Sequence, residues 1–127
     1  MEITDTEDVE GDINWTTFKA KRWYSDNWEF TIADAESKYT LAFDMRTGDS
    51  SLNYIPSGVY TLGTSGQYID EYYSAFNGSK SAYKAVSLEL TYHEDSKTYD
   101  VKFDVTLTDD RQFSGSYSGV VEGSPAE

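Results

Sequence analysis

The side chains that could carry chemistry in this chain of 127 residues are carboxylates, a single histidine and many aromatic rings. The chain has 23 Asp and Glu residues, one His and no Cys, together with 11 Tyr, 6 Phe and 3 Trp. Two carboxylates on either side of a sugar could act as a glycoside hydrolase, and clustered oxygen ligands suit Ca²⁺. Exposed aromatic rings with polar neighbours would instead suit recognition of a glycan or a protein.

The titratable residues favour a protein that is not an enzyme. Asp44, Asp100 and Asp104 take the polar positions of predicted strands, where solvation opposes the raised pKa that a general acid needs. His93 stands at a predicted strand end beside a polar turn, and we expect it to be exposed. No Gly-Xaa-Ser-Xaa-Gly segment for nucleophilic catalysis is present. We therefore predict no catalytic residue, and a two-carboxylate glycoside hydrolase stays as the enzymatic alternative.

Metal and cofactor sites receive no clear support either. Acidic residues are grouped at 5–12, 70–71 and 109–110, but none of these segments matches an EF-hand loop. With one His and no Cys, the chain also has no cluster suited to a transition metal. We predict neither a metal nor a cofactor.

Aromatic residues are the stronger candidates for a binding site. The first predicted strand places Trp15 and Trp23 on the face that also carries Lys19 and Lys21. Several tyrosines, Tyr83 among them, lie in or near predicted loops. The predicted ligand-binding residues are Trp15, Trp23, Tyr54, Tyr68, Tyr72 and Tyr73. The alternative is that a second sheet or the N-terminal segment covers these rings.

Short antiparallel strands are the elements that would position these side chains. Residues 99–107 alternate apolar and polar side chains, and after a turn at Asp109-Asp110 the alternation resumes over 113–121. Side chains on a strand point to opposite faces with period two, so this pattern predicts a hairpin with one buried face. About eight such strands, separated by turns, predict an all-β fold. We expect either an antiparallel β-sandwich or a small closed barrel.

The charge distribution divides the chain into a domain and two ends. Six of the acids, and no Lys or Arg, lie within the first twelve residues. We predict an acidic flexible arm over 1–11, a single β domain over 12–122 and a tail with little to pack over 123–127. A formal net charge of −13 repels phosphate groups, which excludes nucleic acid and an anionic membrane surface as partners.

Three segments carry turn-and-strand motifs: Ala-Lys-Arg-Trp-Tyr-Ser-Asp and the aromatic strand after it over 20–30, Ile-Pro-Ser-Gly-Val-Tyr-Thr-Leu-Gly over 55–63, and Ser-Tyr-Ser-Gly over 116–119. Together they resemble a small β domain of uncharacterised surface lipoproteins from gut Bacteroidetes. That domain has an Ala-Xaa-Tyr-Tyr-Gly-Asp-like opening, a Leu-Pro-Ala-Gly-Thr-Tyr-Thr-Xaa-Gly turn and strand, and a closing Gly-Ser-Tyr-Xaa-Gly strand. The resemblance runs from about Asn14 to Val121, with Ser25 in place of the usual Gly and Asp109-Asp110 in place of Asp-Gly.

The resemblance implies export, a lipid anchor upstream of the arm, and a location at the outer membrane or in the periplasm. It carries over no functional residue. We therefore predict a non-enzymatic, extracytoplasmic binding or accessory module of a bacterial surface lipoprotein, whose partner is a glycan or another surface protein. The remaining alternative is a purely structural accessory domain.

Overall fold

A computed structural model describes Val9, Glu10 and residues 13–126, and these residues form ten β-strands. No helix occurs within these described residues. In chain order the strands are β1 (Val9–Glu10), β2 (Trp15–Tyr24), β3 (Asn27–Asp34), β4 (Thr40–Arg46), β5 (Gly58–Thr61), β6 (Tyr68–Phe76), β7 (Ser79–Lys80), β8 (Tyr83–His93), β9 (Thr98–Leu107) and β10 (Gln112–Gly119).

The strands form two five-stranded sheets. Sheet 1 has the order β1-β10-β9-β8-β5, and sheet 2 has the order β2-β3-β4-β6-β7. All neighbours are antiparallel except β1 and β10, which run parallel. The predicted all-β, antiparallel architecture is therefore confirmed. The sheets make a sandwich-like fold and do not close into a barrel. The two strands beyond the predicted eight are β1 and β7, and each is only two residues long.

The predicted alternation of the central strands is also confirmed. In sheet 1 the side chains of Val101, Phe103 and Val105 are buried, while their neighbours in sequence point outward. In sheet 2 the side chains of Phe30 and Phe43 are fully buried and lie opposite each other on adjacent strands. The inner faces of both sheets join in one hydrophobic core, which leaves each sheet with an outer face.

Two bulges in β2 overturn the predicted faces of that strand. One extra residue of β2 lies between the pairs Trp15–Asp34 and Thr17–Ala33, and another lies between Arg22–Trp28 and Tyr24–Asn27. A bulge breaks strict alternation, so side chains on either side of it change faces. Trp15 therefore turns toward the core. Strict alternation from the sequence predicts Tyr24 on the same face as Phe18 and Ala20, but Tyr24 is instead 61 % exposed.

Trp15 is half-buried and serves the packing between the sheets. Its ring contacts Phe103 edge-on, with centroids 5.3 Å apart, and its Nε1 donates to the carbonyl of Ser114 over 3.1 Å. A Cβ on Gly115 would lie 2.7 Å from the Trp15 ring and 2.9 Å from Phe103. The absence of a side chain at Gly115 therefore makes room for Trp15, in agreement with a structural interpretation of this glycine.

At its N-terminal end, the domain begins earlier than predicted. Val9 and Glu10, which we assigned to a flexible arm, pair in parallel with Gln112 and Phe113 at the edge of sheet 1. Two residues are too few to show the alternation by which a strand is recognised. The rest of the predicted arm, 1–8 and 11, lies outside the described residues.

The C-terminal segment packs against the domain, contrary to the prediction of a tail with little to pack. Ala20 N–H donates to the carbonyl of Glu122 over 2.6 Å, which covers part of the free edge of β2. Ser124 is buried, where its Oγ accepts from Ile55 N–H over 3.0 Å and bonds to the Tyr99 hydroxyl over 2.7 Å. At Gly123 the φ angle is +92° and a Cβ would lie 1.8 Å from the Ala20 oxygen, so only glycine fits.

Candidate functional site

Among the described residues, six large hydrophobic side chains are exposed, and four of them are aromatic. These four lie together on sheet 2. These four are Trp23, Tyr24, Tyr72 and Tyr73, each more than half exposed. Single exposed apolar side chains are normal, but a group of them rimmed by polar residues marks a surface for recognition.

A cavity of about 420 Å³ lies among these rings, on the outer face of sheet 2. Its volume falls within the range of small-molecule sites, roughly 300–1,000 Å³. The cavity combines aromatic walls with charged and amide groups. The lining residues are Trp23, Tyr24, Asn27, Glu29, Asp44, Arg46 and Tyr73. We refer to it as the aromatic cavity.

Irregular places in two strands project the rings into this position. Trp23 is the extra residue of the second bulge in β2, between Arg22 and Tyr24. On the opposite side of the cavity, residues 71–74 of β6 face the single residue Phe43 of β4. The surplus residues of β6 leave the sheet, which carries Tyr72 and Tyr73 outward. Their rings meet edge-on, with centroids 4.8 Å apart.

Hydrogen bonds fix the base of this β6 bulge. The buried Ser74 hydroxyl accepts from Asp44 N–H over 2.9 Å and donates to the Asp70 carbonyl over 2.6 Å. The Asp70 carboxylate accepts from Tyr73 N–H over 3.0 Å. This bond fixes the backbone of Tyr73, from which the exposed ring projects.

Arg46 and Asp26 hold the other end of the cavity. The Arg46 guanidinium donates to Asp26 over 3.0 Å and to the Tyr24 hydroxyl over 3.1 Å, and Asp26 also accepts from Gly48 N–H over 2.9 Å. Partial burial works to raise the pKa of Asp26. The bonds from Gly48 and Arg46, with the charge of Arg46, outweigh that effect and hold the pKa below its ordinary value. This ion pair positions Tyr24 at the cavity wall.

Three carboxylates cross the outer face of sheet 2 in one row. Glu29 lies opposite Asp44 on adjacent strands, and Asp44 lies opposite Asp70 on the next. Burial is the main cause that raises the pKa of Asp44, and the negative charges of Asp70 and Glu29 add to it. A hydrogen bond from the amide of Asn27 and the charge of Arg46 act in the opposite direction. We had expected Asp44 to be an ordinary solvated residue, and its half-buried place beside two acids overturns that expectation.

Of the six aromatic residues predicted to bind a ligand, the structure brings three together. Trp23 and Tyr73 line the aromatic cavity, and Tyr72 contacts Tyr73 at its edge. Tyr68 pairs with Arg46 in the sheet but does not line the cavity. Trp15 packs between the sheets, so it does not share a surface with Trp23 as predicted.

Tyr54 lies at a second cavity, of about 410 Å³. Its ring stacks on Tyr92, with centroids 4.5 Å apart, and the rim carries Glu94 and Lys97. Here both rings are only half exposed and each covers the other. This arrangement offers less free aromatic surface than the aromatic cavity does.

Sequence reasoning did not find the polar half of the aromatic cavity. Asn27, Glu29 and Asp44 stand on adjacent strands and meet only through the register of sheet 2. Arg46 lies two residues after Asp44 on β4, so both side chains are on the same face of the sheet. A weak signal was present, because Glu29 and Asp44 both occupy outward positions beside fully buried residues.

His93 is exposed and lies at the end of β8, on sheet 1, whereas the aromatic cavity lies on sheet 2. Its Nε2 is 2.9 Å from the Asp100 carboxylate, which also accepts from the Ser118 hydroxyl over 2.8 Å. The bond with His93, followed by the bond from Ser118, lowers the pKa of Asp100. The Asp100 carboxylate thus bonds to both His93 and Ser118. The histidine does not contact the serine directly, as a general base would contact a nucleophile.

Within the described residues, no three His, Asp or Glu side chains are arranged to hold a metal ion. Nor does that part of the chain contain a helix long and apolar enough to cross a membrane. Comparison of the chain with family models, with curated proteins and with solved structures found no match in any of the three. The resemblance to Bacteroidetes lipoproteins therefore stays a prediction, and function has to be argued from the cavity itself.

Proposed function

We propose that this protein is a non-enzymatic glycan-binding module whose site is the aromatic cavity. One observation carries the proposal: bulges in two separate strands project Trp23 and Tyr73 onto one cavity with a polar floor. The apolar face of a sugar ring stacks on an aromatic ring, while its hydroxyl groups need hydrogen-bond partners. Glu29, Asp44 and Asn27 supply those partners beside the rings.

Regular strands would not produce this arrangement. Trp23 is more than half exposed, and the strand irregularity that places it there removes a regular backbone pairing. Bulges next to binding sites commonly direct a side chain toward a ligand. The exposure of Trp23 and Tyr73 also brings no burial energy to the fold, so recognition is the better explanation for their placement.

Isothermal titration calorimetry with a panel of plant and host-mucin oligosaccharides tests the proposal. We expect Trp23→Ala and Tyr73→Ala each to weaken binding about tenfold, the loss of one stacking partner. Tyr54→Ala is the matched control, because it removes a tyrosine at the second cavity and should leave the affinity unchanged. Binding that survives both cavity substitutions would contradict the proposal. Binding of no oligosaccharide would favour a purely structural accessory domain.

A two-carboxylate glycoside hydrolase is the second candidate, and the raised pKa of Asp44 beside Glu29 favours it. The Cβ atoms of directly opposite residues on adjacent strands are about 4.5–5.5 Å apart, so the two carboxylates belong to neighbouring side chains on one face, as a two-carboxylate mechanism requires. Binding is preferred because the rings of the cavity are more than half exposed, so water is not excluded. If Asp44→Asn abolished release of reducing ends from an oligosaccharide that still bound, the protein would be a hydrolase.

The setting of this function follows from the resemblance of residues 14–121 alone. We propose that the module belongs to a bacterial surface lipoprotein and works outside the cytoplasm. Fractionation of the native cells with an antibody to the domain should place it in the outer membrane or the periplasm. Recovery in the cytoplasm would remove this part of the proposal and leave glycan binding standing.

A further inference from the structure

We propose that the glycan bound at the aromatic cavity carries a free ammonium group, as a chain of unacetylated amino sugars does. The inference rests on the proposed function and names the ligand more closely. It is argued from three features of the cavity: an unpaired row of carboxylates, rings that already hold ammonium groups, and an arginine that is occupied elsewhere.

The carboxylate row lacks a positive partner. Among residues 13–126, neither Glu29, Asp44 nor Asp70 forms an ion pair. Like charges directly opposite each other on adjacent strands destabilise a sheet. Hydrogen bonds from Tyr73 N–H and from the Asn27 amide reach Asp70 and Asp44, but these neutral donors do not balance the negative charge of the row. A ligand with a positive group would supply the missing partner, and a neutral hydroxyl would not.

The rings around the row already bind ammonium groups of the protein itself. The Lys21 Nζ lies 4.0 Å from the centroid of the Trp23 ring, and the Lys80 Nζ lies 5.2 Å from that of Tyr73. These are the distances of cation–π contacts. Lys21 stands opposite Glu29 in the sheet, yet its ammonium lies over the ring of Trp23 and makes no ion pair with the carboxylate. The cavity thus combines two groups that attract an ammonium.

Arg46 does not fill the role of partner to the carboxylates. Its guanidinium donates to Asp26 and to the Tyr24 hydroxyl. Leaving Asp26 would break the contacts that hold Tyr24 at the wall. A sugar ring stacked on Trp23 or Tyr73 would instead direct a substituent to the floor, where Glu29 and Asp44 line the same cavity. An ammonium there gains charge pairing and a hydrogen bond together.

Three tetrasaccharides with the same β-1,4 linkage test the inference by calorimetry at about pH 6 and low salt. Cellotetraose carries a hydroxyl at carbon 2 of each ring, chitotetraose carries an N-acetyl group, and the glucosamine tetramer carries an ammonium. We expect the glucosamine tetramer to bind about tenfold more tightly than cellotetraose, since an ion pair and a cation–π contact are each worth a few-fold at a partly exposed site.

The preference should depend on the floor of the cavity. Asp44→Asn and Glu29→Gln should each reduce the ratio of the affinity for the glucosamine tetramer to that for cellotetraose at least threefold, because an amide still bonds to a hydroxyl group but does not pair with an ammonium. Asp104→Asn is the matched control, because it removes the same charge from the outer face of sheet 1 and should leave the preference intact. Tetralysine serves as a probe for attraction of any polycation to this acidic protein and should bind more weakly than the glucosamine tetramer.

Each unfavourable outcome has a separate meaning. Equal affinity for the three tetrasaccharides would overturn the ammonium inference and leave glycan binding intact. A preference that survives both floor substitutions, or tetralysine binding that equals that of the glucosamine tetramer, would overturn it as well. If neither these three tetrasaccharides nor any oligosaccharide of the wider panel binds, the proposed function itself fails.

Discussion

The outer faces of the two sheets accommodate their carboxylates in different ways. Both lie on antiparallel sheets with polar side chains at alternate positions. On sheet 1, Asp100 is held by His93 and Ser118, and its pKa is lowered. On sheet 2, Asp44 stands between two further acids without an ion pair among the described residues, and its pKa is raised by burial. On sheet 1 the partners of Asp100 favour its charged form, whereas on sheet 2 burial and two neighbouring acids outweigh the bond from Asn27 and the charge of Arg46.

The comparison separates features that the stability of the fold explains from features that the proposed binding site explains. A polar outer face such as that of sheet 1 follows from alternation alone, since small hydroxyl and charged side chains satisfy each other and water. The outer face of sheet 2 adds exposed rings and opposed carboxylates, both of which work against stability. Groups that cost stability and lie together in a cavity are the usual sign of a binding or active site.

The largest contrast between the faces should come from two serines. Ser74→Ala removes the hydroxyl that accepts from Asp44 N–H and leaves a partly buried donor without a partner. The expected loss is about 2 kcal/mol of the free energy of unfolding, and the proposed glycan binding should be lost as the β6 bulge loosens. Ser118→Ala on sheet 1 removes an exposed hydroxyl and should shift Tm by less than about 1 °C. Equal losses in urea unfolding would show that the bulge is not anchored by Ser74.

A smaller effect is expected from the ion pair at the end of the cavity. Asp26→Asn weakens the bonds from Arg46 and Gly48, at a cost of about 1 kcal/mol at pH 7. Since its pKa is lowered in the fold, Asp26 stabilises the protein above about pH 4, and this contribution is lost as the pH falls through the folded-state pKa. Thermal melts of the two proteins should therefore differ at pH 7 and converge toward pH 2.

For that measurement, Asp110→Asn is the matched control. Asp110 forms an ion pair with Lys84 at 2.6 Å, but both side chains are largely exposed. Exposed pairs contribute little to stability, so Tm should move by less than about 1 °C at either pH. If Asp110→Asn lowered Tm as much as Asp26→Asn does, the ion pair at the end of the cavity would stabilise the fold no more than an exposed ion pair.

The smallest effect should differ in sign between the faces. Asp44→Asn removes one of three neighbouring charges and should raise the free energy of unfolding by about 0.5 kcal/mol at pH 7. The raised pKa of Asp44 means that its ionisation destabilises the fold. The gain should therefore appear as the pH rises through the folded-state pKa and vanish below about pH 4.

Asp100→Asn provides the opposite sign on sheet 1. Its pKa is lowered by His93 and Ser118, so this substitution should slightly lower Tm above about pH 4. Thermal melts at pH 3 and pH 7 decide both cases. Stabilisation by both substitutions would reduce the contrast between the faces to the net negative charge of the protein.

Local pattern explains which parts of the molecule the sequence could predict. The hairpin of β9 and β10 was recognised because Val101, Phe103 and Val105 alternate strictly with polar residues. The sequence predicts the wrong orientation for the side chains of β2, because a bulge interrupts the two-residue alternation and no residue type in that strand marks its position. Trp15 and Tyr24 exchanged faces for this reason.

The site was only half visible in the sequence for a related reason. Exposed aromatic residues such as Trp23 and Tyr73 stand out by composition, because loops and polar strands rarely carry them. Glu29, Asp44 and Asp70 look like ordinary outward acids until the register of β3, β4 and β6 places them side by side. Register between distant strands is set by the whole core, so a single strand does not reveal it.

The bulge of β6 has a consequence for how this protein can diverge. Both of its ends return to regular pairing, at Asp70 with Asp44 and at Ala75 with Ala42. Residues 71–73, which lie between Asp70 and the buried Ser74, can be exchanged, added or removed without shifting the strands on either side, in the way that surface loops accept insertions. Variation of this three-residue segment alone would thus give different ligand sites on one scaffold. A library randomised at 71–73 would be a direct route to new specificities on an unchanged fold.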